Sequence, residues 1–131
     1  MNSPTSTYSS VLRPAHETSL FKALYALYLA WYLQCRSFPK KDRFTIGQKT
    51  EDIILETLSL FTAAYHSKDT EFKKHTQLYM SDKLESVKIL VRLAKDVHAI
   101  EKQSYIEYEG RLQEIGKMLG GWIKDLQNHA S

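Results

Sequence analysis

Histidine and cysteine are the side chains most often used near neutral pH for metal binding, nucleophilic attack and proton transfer. In this chain they are dispersed: His16, His66, His75, His98, His129 and a single Cys35. No Glu-x-x-His pair of the di-iron bundle type occurs, no His-Glu-x-x-His, and no Cys/His cluster with zinc spacing. Cys35 follows the aromatic run Trp31-Tyr32-Leu33, a setting for a buried, inert thiol. The glycines fall inside a helical pattern, not in a phosphate-cradling loop. The expectation is therefore a protein that is not an enzyme, with no catalytic residues, no metal and no cofactor.

The cations offer a different chemistry. Arg36, Lys40, Lys41 and Arg43 stand within eight residues and are opposed there only by Asp42. Lys88, Arg92, Lys95 and Lys102 recur at spacings of four, three and seven, which lines them along one face if a helix persists that far. Lys117 and Lys124 repeat the pattern further on. Stripes of this kind suit a phosphate backbone, because each cation that meets a phosphate releases condensed counterions. The alternative is a solvated face with surface ion pairs, Glu85 with Lys88 and Asp96 with Lys95. The net charge of +3 over 131 residues decides nothing by itself, so the placement of the charges carries the question.

Helices must position these groups. With five glycines and three prolines, the chain is poor in the turn residues of an all-β fold. Residues 1–14 are rich in Ser, Thr and Pro, aperiodic, and read as a flexible tail. From 15 to 128 four amphipathic segments with short connections predict one all-α domain, an antiparallel up-down-up-down four-helix bundle. The first helix, over 15–37, carries Leu20, Leu24, Leu27, Trp31 and Gln34 on one stripe. Phe21, Tyr25, Tyr28, Tyr32 and Cys35 lie on a second stripe beside it. The second stripe either faces something outside the bundle or belongs to a wide core face whose tyrosine hydroxyls reach solvent.

Pro39 ends the first helix. Thr45 with Gln48 reads as a capping box opening a second helix that runs to about 66, with Ile46, Ile53, Ile54, Leu58, Phe61 and Tyr65 inward. Asp69 is the expected N-cap of a third helix over 70–100, whose polar first third is weaker than the run Met80, Leu84, Val87, Val91, Ala94, Val97. Ser104 and Glu107 read as a capping box for the fourth, where Tyr105, Tyr108, Leu112, Ile115, Leu119, Trp122 and Leu126 follow a heptad seam. Thr50 and Ser86 place small polar groups near these apolar faces.

The fourth helix also holds Gly116, Gly120 and Gly121. Each costs about 1 kcal/mol relative to Ala in a helix, so a compensating gain is expected. The gain a missing Cβ offers is close approach of another backbone, within the monomer or from another subunit. The alternative is a kink or helix end near Gly120.

Residues 1–13 carry one positive charge and no apolar run, unlike a signal peptide. The most apolar stretch, 23–33, is far shorter than the ~20 residues of a membrane span. With a lone cysteine, the reading is a cytoplasmic protein without membrane contact.

Three stretches carry a family resemblance: LYALYLAWYLQCRSFPKKDRFTIGQKTEDIILE (24–56), LVRLAKDVHAIEKQSY (90–105) and LQEIGKMLGGWIKDL (112–126). Over about 20–126 the chain resembles the accessory variability determinant (Avd) family of diversity-generating retroelements. That family lies within a wider four-helix-bundle group that includes proteins encoded in ribosomal RNA intervening sequences. The phrases FPKKDRF-T-I-G and EIGKMLGGWIK are the most specific. The resemblance implies a ring-forming bundle, typically a pentamer with a basic exterior, that performs no chemistry. It implies association with the element's reverse transcriptase and with RNA or DNA in support of mutagenic homing, in which a template repeat is copied with adenine-directed errors into a target gene. On that footing Arg36, Lys40, Lys41, Arg43, Lys88, Arg92, Lys95 and Lys102 become candidates for nucleic-acid or polymerase contact. Tyr25, Tyr28, Tyr32, Gly116, Gly120, Gly121 and Trp122 become candidates for packing in the bundle or homo-oligomer. The competing expectation is a structural ring of the intervening-sequence type without a polymerase partner.

Overall fold

A computed structural model describes residues 13–130; most of the expected tail over 1–14 lies outside the described residues. Those residues form four long helices and no strands: α1 (Ser19–Cys35), α2 (Gln48–His66), α3 (Thr70–Asp96) and α4 (Lys102–Ala130). Neighbours pack in the order α1–α2–α3–α4–α1, closing a four-helix bundle. The antiparallel sense shows in the contacts. Tyr108, early in α4, donates to the Ala30 carbonyl late in α1 at 3.0 Å, and Trp122, late in α4, lies near Gln77, early in α3.

α1 starts after a single 3-10 turn (Ala15–Glu17), where the Thr18 hydroxyl accepts from the Phe21 N–H at 3.2 Å. Its first stripe is the core: Leu20, Leu24, Leu27 and Trp31 are buried, each aliphatic side chain contributing about 1.5–3 kcal/mol. In α4 the seam buries Tyr108, Leu112, Ile115 and Leu119, as the heptad pattern requires. Thr50 is fully buried in α2. Its hydroxyl donates to the Ile46 carbonyl at 2.7 Å, so this polar group enters the core satisfied. Ser86, by contrast, faces solvent.

Four boundaries depart from the sequence expectations. The connection after α1 is not a loop: one helical turn (Lys40–Asp42) and a π-helical segment (Arg43–Gly47) lead straight into α2. Thr45 therefore caps nothing; its hydroxyl turns back to the Lys41 carbonyl at 3.0 Å, a local bond that competes with the capping geometry. Asp69 caps α3 as expected, its carboxylate accepting from the Glu71 and Phe72 N–H groups, and the polar first third is helix that buries Thr76 and Gln77.

α3 ends at Asp96, not near Ile100. His98 adopts a left-handed φ of 65°, and the Ala99 N–H reaches the Ala94 carbonyl at 2.8 Å while the His98 N–H reaches that of Lys95 at 3.0 Å. This is a Schellman termination with histidine where glycine is usual. α4 opens at Lys102, so Ser104 lies inside it. Among the described residues no helix is long and apolar enough to cross a membrane.

Candidate nucleic-acid and partner interface

The densest cation cluster sits where α1 hands over to α2. Pro39 keeps Phe38 out of α geometry, and the Phe38 ring turns inward until it is nearly fully buried. It meets Trp31 edge-to-face at 5.5 Å, and Trp31 meets Tyr108 at 5.2 Å. The Trp31 indole N–H donates to the Gly47 carbonyl at 2.9 Å, tying α1 to the π-helical segment. Gly47 is the glycine that close packing demands: a Cβ there would stand 3.1 Å from Cys35 Sγ and 3.4 Å from the Phe38 ring. No signal short of the full aromatic packing marks it in the sequence beyond its place in FPKKDRF-T-I-G.

On this base stand the cations. Arg36, Lys40, Lys41 and Arg43 are all exposed, and none forms an ion pair among the described residues. Arg43 also braces the backbone. Its guanidinium donates to the Arg36 carbonyl at 3.2 Å and more distantly to that of Phe38, satisfying acceptors at the C-terminal end of α1. Beneath it, burial, with Glu51 nearby, pushes the Cys35 thiol up to about 11 against the opposing pull of Arg43. A thiol held that high stays protonated at neutral pH and is a poor nucleophile.

The second cation group is distributed differently. Lys88 pairs with Glu85 at 2.9 Å, Arg92 with Asp96 at 3.9 Å and Lys95 with Asp96 at 3.5 Å. The Lys95 ammonium also lies over the Tyr105 ring, 4.7 Å from its centroid. Lys102 does not continue the stripe along α3, because the helix has ended; it opens α4 and returns to the same neighbourhood by lining, with Lys95, a shallow hollow around the α3–α4 turn.

The second stripe of α1 divides. Tyr25 and Tyr32 are about half exposed, and Leu29 and Leu33 join them on the outward side. Tyr28 is held within the chain: its hydroxyl donates to Glu51 at 3.2 Å, and burial together with that carboxylate raises its pKa. Trp122 is half-buried, edge-to-face with Phe61 at 5.2 Å. Gly116, Gly120 and Gly121 are exposed, and a Cβ on any of them would meet nothing within 4 Å. Close approach within the bundle is thus not their purpose, and the helix runs through them without ending. Among the described residues no group of three or more His, Cys, Asp or Glu is placed to hold a metal ion.

The model of the family described as bAvd-like matches residues 20–126, from the first core leucine of α1 to the last seam leucine of α4. No curated protein matches the chain.

Proposed function

The chain belongs to the bAvd-like family, and from that premise we propose that it is the accessory protein of a diversity-generating retroelement, acting by assembly and binding and performing no chemistry itself. The observation that carries this reading is the family match over nearly the whole bundle. Two physical features support it. The outward side of α1 exposes Tyr25, Leu29, Tyr32 and Leu33 together, an apolar surface that a second copy of the chain would remove from water. At its end, Arg36, Lys40, Lys41 and Arg43 offer a phosphate backbone or an acidic partner four cations that no internal carboxylate has engaged.

In this reading copies of the chain close into a ring, of the pentameric kind the family resemblance implies. The ring displays one basic corner per subunit to the element's reverse transcriptase and to RNA or DNA. A heterologous contact that closes on itself gives such a ring. The test is co-purification with the polymerase encoded by the same element, with sedimentation of the accessory protein alone. Retention on the polymerase and an assembly of about five chains are expected. A monomer that passes through the polymerase column would contradict both halves of the proposal.

A further inference from the structure

Phe44 is the most exposed phenylalanine, tyrosine or tryptophan among the described residues, at 62%, and it directly follows Arg43 at the edge of the basic corner. In an α-helix it would share a face with buried Gly47, three residues on. Instead the segment is a π-helical turn, in which the Gln48 N–H reaches back to the Arg43 carbonyl, and Phe44 is exposed on it. Such turns recur at functional sites. Phe44 and the half-exposed Tyr32 line one open hollow of about 430 Å³, together with Arg36, Arg43, Glu51 and Asp52.

The mixture of signs in that hollow says what fits. A phosphate would meet Arg36 and Arg43 but would also meet two carboxylates, which repel it. An unpaired nucleobase carries no net charge, stacks on aromatic rings and guanidinium planes, and donates exocyclic amine hydrogens to carboxylates. Its own phosphates would then fall outside the hollow, where Lys40 and Lys41 stand exposed. A base in a duplex is stacked and paired, and its faces are out of reach.

We infer that the hollow of Phe44, Tyr32 and Arg36 over Glu51 and Asp52 is a base slot, which makes this corner a reader of single-stranded nucleic acid with a preference for bases bearing an exocyclic amine. The inference rests on the nucleic-acid reading above and specifies the ligand. Cytosine and uracil probe the exocyclic amine: cytosine offers the carboxylates an amine donor beside an acceptor N3, whereas uracil offers a carbonyl beside a ring N3–H.

The experiment measures binding of full-length wild-type protein at pH 7.5 to 12-nucleotide rC, rU, dC and dT strands and to a mixed-sequence DNA duplex. RNA and DNA strands are compared separately, so that dependence on the 2′-hydroxyl is read from the same data. Cytosine strands should bind about fivefold more tightly than uracil or thymine strands, the low end of a carboxylate–amine contact at an open site. Phe44→Ala should weaken single-strand binding by about tenfold, Phe44→Trp should preserve it, and duplex binding should stay within about twofold in both. Asp52→Asn should reduce the cytosine preference, leaving the share contributed by Glu51. Because both side chains are exposed, none of these changes threatens the fold.

Single-strand binding that ignores Phe44→Ala, an equal loss on the duplex, or a change in sedimentation in place of a change in binding would overturn the slot while leaving nucleic-acid binding intact. Wild-type protein that binds no strand and no duplex would overturn the underlying reading and the slot with it.

Discussion

The α1–α2 corner and the α3 stripe look alike as sequence and differ as surfaces. Residues 36–43 hold four cations and one carboxylate; residues 85–96 hold three cations and two carboxylates. On α3 helical spacing places each acid one turn or less from a cation, and every cation of that stretch is paired. Exposed pairs of this kind contribute only ~0–1 kcal/mol to stability, but they lower the potential offered to a phosphate. At the corner, Asp42 sits among the cations without pairing to any of them, and the exposed ring of Phe44 adds an apolar face. Periodicity finds cations; the partners within one turn decide whether those cations remain available.

The corner also rests on a packed base, and that half of the contrast can be attacked first. Gly47→Ala sets a methyl group 3.1 Å from Cys35 Sγ, and this crowding should outweigh the ~1 kcal/mol that Ala gains over Gly in helical backbone, for a net loss of about 0.5–2 kcal/mol in denaturant unfolding. An unchanged midpoint would mean that the corner is not built on close packing.

The glycines of α4 predict the opposite sign. Gly116→Ala and Gly120→Ala add a Cβ into open space and should each stabilise the protomer by about 0.8–1 kcal/mol, unless another subunit docks there. Loss of assembly with retained helix content would identify that docking. A loss of protomer stability would refute the open-space reading.

The smallest effect comes from proton linkage beneath the corner. The Cys35 thiol is raised from 9.0 to about 11 when folded, so the unfolded chain loses its proton first as pH rises. The thiol's share of stability is intact below about pH 9 and declines as pH climbs from there toward 11. Cys35→Ala should flatten that part of the alkaline decline in melting temperature; an identical pH profile would remove the linkage.

Much of the fold was legible because burial and helical period reinforce each other. The Leu20–Trp31 stripe and the Tyr108–Leu119 seam are core in the structure as in the sequence. The Glu85–Lys88 pair was legible because helical spacing puts i,i+3 residues together, and the Lys95–Asp96 pair because the two are sequence neighbours. What escaped is where one residue type has two uses. Pro39 reads as a helix stop, yet it also accepts the N–H groups of Asp42 and Arg43 at the start of the next helical turn. His98 in the left-handed region ends α3 without the glycine that announces such an end. A glycine's missing Cβ signals close approach at Gly47 and nothing of the kind inside the protomer at Gly116, Gly120 and Gly121. The base slot was invisible for a related reason: Phe44 counts as one more apolar residue until its exposure beside Arg43 is known.

The most direct test of the corner's role is the slope of log binding constant against log salt concentration, measured in parallel on wild type, on the Lys40→Glu/Lys41→Glu protein and on the Arg92→Glu/Lys95→Glu protein. On duplex DNA each lost phosphate contact removes about 0.9 from the slope, so the corner variant should flatten it by about 1.8 and lose roughly tenfold or more in affinity. The α3 variant should remain near the wild-type slope. Equal flattening by the two variants, or flattening by the α3 variant alone, would contradict the account.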